Sequence, residues 1–222
     1  MQSINRNYKM RIANSAPPNK FGAYPFSIDS INSIRDIDIY ADEYSNKVLT
    51  KACKDVLLRS MNAHNPYRYG ETGRLVSILD EDSHGNKLQH IDEIYDGNYD
   101  SVATDKKYST IVSNRGITDL VFVHNHPNNS SFSGWDLEHL YKDKFLYGII
   151  AVGNRHNVFI VTKNGSTKYL YKYIQNYAKA HAKSPAEMRK YKDIAAHYIL
   201  ENPDEFNIEY NKMNRRTLQW KK

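Results

Sequence analysis

A chain of 222 residues with 40% hydrophobic side chains, a net charge of +6 and a mean hydropathy of -0.72 has the apolar material for one sizeable domain under a polar surface. No apolar run approaches the roughly 20 residues of a spanning helix, and Met1 to Pro25, rich in Asn, Ser and Pro, lacks the apolar stretch of a secretory signal. These features argue against a membrane protein, and the single cysteine, Cys53, excludes an intrachain disulfide and points to a reducing cytoplasm.

Residues 1–40 read as irregular, punctuated by Pro17, Pro18, Gly22 and Pro25. From Asp42 to about Asn65, the residues Val48, Leu49, Ala52, Val56 and Leu57 recur at helical spacing and predict an amphipathic helix. Cys53 lies within it, with no motif around it, and is expected to be a buried, inert thiol. Arg74 to Leu79 and Lys87 to Tyr95 read as two strands of a hairpin joined by the turn-rich Asp80 to Asn86. Tyr108 to Arg115 reads as a helix, and Thr118 to His126, with its Leu120-Val121-Phe122-Val123 run, as a central strand. A helix from Trp135 to about Phe145 follows. Gly148 to Val152 and Asn157 to Thr162 then read as a second hairpin turning at Gly153 to His156. From Lys168 the pattern is mostly helical, with breaks near Ser184-Pro185 and Asn202-Pro203. The expected organisation is a mixed α/β domain over residues 41–165, its sheet flanked by helices, followed by a basic helical C-terminal extension over 166–222.

The segment that carries chemistry is His124-Asn125-His126-Pro127, with Ser133 and Asp136 downstream. In a strand, side chains alternate between faces, so His124 and His126 point the same way and Asn125 points opposite. Pro127 ends the strand. A helix starting near Ser133 puts Asp136 in its first turn, where it faces back toward the strand end. Two neutral imidazoles and a carboxylate suit Zn²⁺ in a hydrolytic site, with a fourth position left for a water whose pKa the ion lowers toward ~7. Glu71, just before the first strand of the first hairpin, is the leading candidate for the proton carrier, and Glu93 is its main rival. Ser133 is a candidate hydrogen-bond donor to a developing oxyanion, and Ser133-Gly134-Trp135-Asp136 also fits a helix capping box. Trp135 and Phe132 either line the entrance of a cleft or pack the loop onto the domain. His64, His84, His90, His139, His156, His181 and His197 are read as surface or packing residues, and Tyr169, Tyr171, Tyr173 and Tyr177 as a cover for the domain.

His124-x-His126-Pro127, Ser133-x-x-Asp136 and the upstream Glu71 together resemble the signature of the JAMM metalloproteases, also called the JAB or MPN+ domain. Val123 to Pro127 is especially close to its RadC-like bacterial branch. The stretch from Pro127 to Phe132 is one residue shorter than the usual spacing of that signature. The resemblance covers roughly Glu71 to Thr162. It implies a mixed sheet flanked by helices, akin to that of cytidine deaminases, and zinc-dependent cleavage of a peptide or isopeptide bond. The implied substrate is a protein or peptide, ubiquitin-like tails among the options, and the implied cofactor is one zinc ion per chain. Relatives of this kind also occur in bacteriophage and mobile-element proteins, an origin that the Asn-, Lys- and Tyr-rich composition suits.

Two other readings are weighed beside it. Residues 163–222 hold 13 Lys and Arg against 6 Asp and Glu, so a non-catalytic zinc module that binds nucleic acid or a protein partner through its basic tail is the alternative. A solvated helical face is the more ordinary account of that charge. A zinc deaminase would need a P-C-x-x-C segment, which this sequence lacks.

Overall fold

The computed structural model describes residues 18–20, 22–34, 36–38, 42–63, 68–98, 101–102, 117–214 and 219–221. A short helix α1 (Ile28–Asn32) and a long helix α2 (Glu43–Asn62) lead into strands β1 (Thr72–Ser77), β2 (Asp92–Asp96) and β3 (Leu120–His126). Helix α3 (Gly134–Lys142) and strands β4 (Leu146–Gly153) and β5 (Val158–Lys163) follow. The chain closes with helices α4 (Lys168–His181) and α5 (Pro185–Glu201), a 3₁₀ turn (Pro203–Phe206), and strands β6 (Ile208–Asn214) and β7 (Gln219–Lys221).

The strands form one seven-stranded sheet in the order β2-β1-β3-β4-β5-β6-β7. β3 and β4 run parallel and are connected through α3, the kind of crossover that parallel neighbours require. The other neighbouring pairs are antiparallel. Every residue of β3 is buried, because helices cover both faces of the sheet. Leu120 and Phe122 point into a core with Leu137 and Leu140 of α3, Leu170 and Ile174 of α4, and Ala195, Ala196 and Ile199 of α5. Val121 and Val123 point into the opposite core with Leu49, Ala52, Val56 and Leu57 of α2. A strand packed on both faces reads as a continuous apolar run, which is how this one stands in the sequence.

The expected long helix is α2, capped by Asp42, whose carboxylate accepts the amides of Tyr44 and Ser45 at 3.0 and 2.7 Å. Both expected hairpins are present as antiparallel pairs, β1–β2 and β4–β5. Cys53 is fully buried, and burial pushes its thiol pKa up, which keeps it protonated. The helix expected at Tyr108 to Arg115 lies outside the described residues. Tyr173 and Tyr177 pack against the core, and Tyr173 stacks on Tyr198 at 5.3 Å, so these rings do cover the domain.

The C-terminal part departs from expectation. Residues 166–222 are not a wholly helical appendage to a domain ending at 165. After α4 and α5 the chain returns to the sheet, and β6 pairs with β5 from Val158↔Met213 to Lys163↔Ile208. Ile208, Tyr210 and Met213 are separated by polar residues and face different cores, so no single face of the segment is continuously apolar. The open edge of β5, not local propensity, makes it a strand. The two helices are equally integral. Gly134 opens α3 against α5: its amide donates to Asp193 Oδ1 at 3.0 Å, and a Cβ there would lie 2.7 Å from the Lys192 carbonyl oxygen. Beneath it the buried Glu138 carboxylate accepts hydrogen bonds from Lys192 Nζ at 2.8 Å and Gln175 Nε2 at 2.6 Å, joining α3, α4 and α5. Gly134→Ala should therefore lower the unfolding free energy by about 1–3 kcal/mol, read as a shifted urea midpoint. An unchanged midpoint would mean that α5 does not dock there.

Candidate metal centre

The centre lies at the carboxyl end of β3, beside its parallel neighbour β4, where open α/β sheets place their crevices. Strand alternation puts His124 and His126 on the same face as Phe122, as expected. The Phe122 ring stacks on the His124 imidazole at 5.5 Å between centroids and 21° between planes, supporting it from below. Past Pro127 the chain turns through Asn129, which is left-handed (φ 61°), and Asn129 Oδ1 accepts the Arg155 amide at 3.1 Å, tying the loop to the β4–β5 turn. Ser133 then caps α3. Its hydroxyl accepts the Asp136 amide at 3.3 Å, while the Ser133 amide and hydroxyl each donate to Asp136 Oδ2 at 2.7 Å. Both halves of the capping box read in the sequence are thus made.

These supports bring the predicted ligands together. His124 Nε2 and His126 Nε2 face each other at 2.8 Å. Asp136 Oδ1 stands 3.3 Å from His124 Nε2, and Asp136 Oδ2 3.6 Å from His126 Nε2. Glu71 Oε1 stands 3.9 Å from His124 Nε2, and Glu71, His124 and His126 each offer a ligand atom within 4.8 Å of the other two. By distance Asp136 is the nearer carboxylate to both imidazoles. His126 Nδ1 lies 3.0 Å from the Ser130 carbonyl oxygen. A carbonyl only accepts, so Nδ1 carries the proton and Nε2 turns its lone pair toward His124. Two ring nitrogens this close repel unless a proton or a cation stands between them. His124 Nδ1 is buried with no hydrogen-bond partner among the described residues, which leaves Nε2 as the productive end of that ring. The donor set and its orientation fit a divalent cation.

The electrostatics distinguish the two rings. Burial alone would push the His124 imidazole down, but the Asp136 carboxylate and then Glu71 outweigh it and hold its pKa above the usual histidine value. Burial and the neighbouring His124 push His126 down, so it stays neutral and able to donate a lone pair. Burial works against ionising Asp136, yet His124, His126 and the Ser133 hydroxyl together hold it well below the usual carboxylate range. As an anion in the first turn of α3, it also gains from the helix dipole.

His126 and Asp136 border a cleft of about 450 Å³ lined in part also by Glu71, Phe122, Ser133 and Trp135. Trp135 stands at its wall, 58% exposed, with Lys192 Nζ 4.7 Å from its ring centre. Phe132 is buried against Phe159 and Tyr210 instead, so the two aromatics divide the roles left open for them. Glu93 sits on β2 opposite Leu75, a full strand away from β3, and is no part of the cleft lining. The Ser133 hydroxyl spends its proton on Asp136 Oδ2, an arrangement that orients the carboxylate.

His139 and Arg189 are among the lining residues that the sequence reading did not single out. His139, read as a packing residue, borders the cleft with its ring against Phe122 at 5.7 Å, and burial keeps it neutral by pushing its pKa down. Its spacing of three from Asp136 on a helix was the available signal. Arg189 of α5 also lines the cleft, and no local pattern linked it to residues so far away in sequence.

No protein-family model, curated protein or solved structure matches this chain. The assignment therefore stands on the geometry. In Zn²⁺ titrations against a chromophoric chelator, His124→Ala and Asp136→Ala should each weaken binding by more than about a hundredfold, and Ser133→Ala by about ten- to a hundredfold through the misaligned carboxylate. His139→Ala should bind as the parent does. Equal binding by the Asp136 variant would remove that residue from the ligand set.

Proposed function

We propose that the chain is a zinc-dependent metallopeptidase or isopeptidase of the JAMM type. The observation that carries the proposal is the convergence of two buried imidazole Nε2 atoms and the Asp136 carboxylate beside a cleft, with a second carboxylate, Glu71, close by. His124, His126 and Asp136 would hold the ion. When bound, zinc supplies Lewis acidity and makes water acidic enough to lose a proton near neutrality.

The chain's own residues supply the rest. Glu71 is almost fully buried yet borders the cleft. Its carboxylate takes the proton of the attacking water and passes it to the leaving nitrogen as the C–N bond breaks and a C–O bond forms. The Ser133 hydroxyl holds Asp136 in line. Trp135 and Arg189 border the same cleft and would meet a substrate chain lying along it. The excess of basic residues over 163–222 favours one second reading, a zinc module that binds DNA without cleaving protein. Its signature is an affinity that falls steeply with salt. No helix among the described residues is long and apolar enough to cross a membrane.

The test is direct. The purified chain should hold one zinc and cleave at least one member of a panel of ubiquitin-like conjugates and peptides. A chelator should abolish the cleavage and added zinc restore it. Glu71→Gln should keep the metal and lose about 10²- to 10⁴-fold in rate. A metal-free wild type, or a Glu71→Gln variant cleaving at full rate, would sink the assignment.

A further inference from the structure

The role given to Glu71 demands that its carboxylate be held in place, and the sheet does not do this. The β1–β3 ladder ends at the pair Gly73↔His124, so Glu71 lies beyond the last rung. On one side its amide donates to the Asn98 carbonyl at 2.7 Å. Gly97 makes that approach feasible, since a Cβ there would sit 2.4 Å from the Glu71 carbonyl oxygen.

On the other side stands Asn125, the residue between the two histidines. Strand alternation turns it away from the metal centre, and its side chain is fully buried on the α2 face of the sheet. Its Oδ1 accepts the Thr72 amide at 2.8 Å and the Thr72 hydroxyl at 3.1 Å. Its Nδ2 donates to the Gly70 carbonyl at 2.9 Å and to Asn154 Oδ1 at 2.9 Å. The partners fix the orientation of the amide, because only an oxygen can accept from Thr72 N–H and only a nitrogen can donate to Gly70 O. Asn154 continues the network by donating to the Tyr69 and Tyr24 carbonyls, both at 3.0 Å. It thereby holds a turn in which Tyr69 adopts a left-handed backbone, φ 65°.

We propose that Asn125 is a positioning residue for Glu71: its carboxamide clamps the backbone immediately before and after Glu71 and so sets where that carboxylate stands beside the histidines. The proposal rests on the metallopeptidase reading. One strand end thus serves both faces of the sheet, with His124 and His126 facing the cation and Asn125 gripping the segment that carries the base.

The test uses the full chain with Co²⁺ as a spectroscopic probe of the metal centre. Wild type, Asn125→Asp, Glu71→Gln and the double variant are compared by visible Co²⁺ titration and by amide hydrogen exchange. Asn125→Asp keeps an acceptor for Thr72 but sets an oxygen against the Gly70 and Asn154 oxygens. If it does not fold, Asn125→Ser serves in its place. In the Asn125 variant, Glu71 and Thr72 amides should exchange at least about tenfold faster, while Val76 and Ser77 stay protected. Glu71→Gln should shift the Co²⁺ spectrum and weaken affinity by about tenfold in wild type, and by less than about twofold once Asn125 is replaced. Unchanged exchange, or additive effects of the two substitutions, would overturn the role of Asn125 alone. A wild type that takes up no Co²⁺ would overturn the metal reading and this inference with it, and a spectrum indifferent to Glu71→Gln would overturn this inference alone.

Discussion

The two imidazole nitrogens at the end of β3 are the constraint around which the centre is organised. They face each other at 2.8 Å inside the protein, a separation that is repulsive for two lone pairs and favourable with a proton or a cation between them. The surroundings hold this arrangement in place. The Ser130 carbonyl fixes the proton of His126 on the far nitrogen, Phe122 stacks under His124, and Asp136 brings negative charge to the same point. Ligands whose orientation is enforced by neighbouring groups lose little freedom on binding, which is how proteins obtain tight and selective metal sites.

The architecture assigns the parts to elements of different kinds. The imidazoles come from a strand buried on both faces, the Asp136 carboxylate from the first turn of a capped helix, and the neighbouring glutamate from the approach to β1. Each is local in sequence, and the sheet brings the three together. The helix carrying Asp136 is in turn braced by α4 and α5 through the buried Glu138 network. The C-terminal third of the chain is therefore part of what holds the centre, and it contributes Arg189 to the cleft wall.

Most of the elements could be read directly from residue patterns. The α2 stripe, the apolar run of β3 and both hairpins follow from periodicity and turn residues, since each such element buries a face that its own sequence must supply. β6 could not be read this way. Its apolar residues fall on two different faces, and it is a strand because β5 offers an unpaired edge.

The same division runs through the centre. By itself the sequence determined which residues share a face and which helix turn holds the carboxylate. His124 and His126 alternate along a strand, and Ser133 and Asp136 stand three apart at a helix start, and both relations are set by backbone geometry over a few residues. Only the tertiary structure decided that Glu71 and not Glu93 lies beside the imidazoles, that His139 and Arg189 border the cleft, and that Asn125 grips the backbone around Glu71. Those relations span tens of residues and depend on strand order and helix docking, which no short stretch of sequence encodes because they arise when separate elements bury their apolar faces against one another.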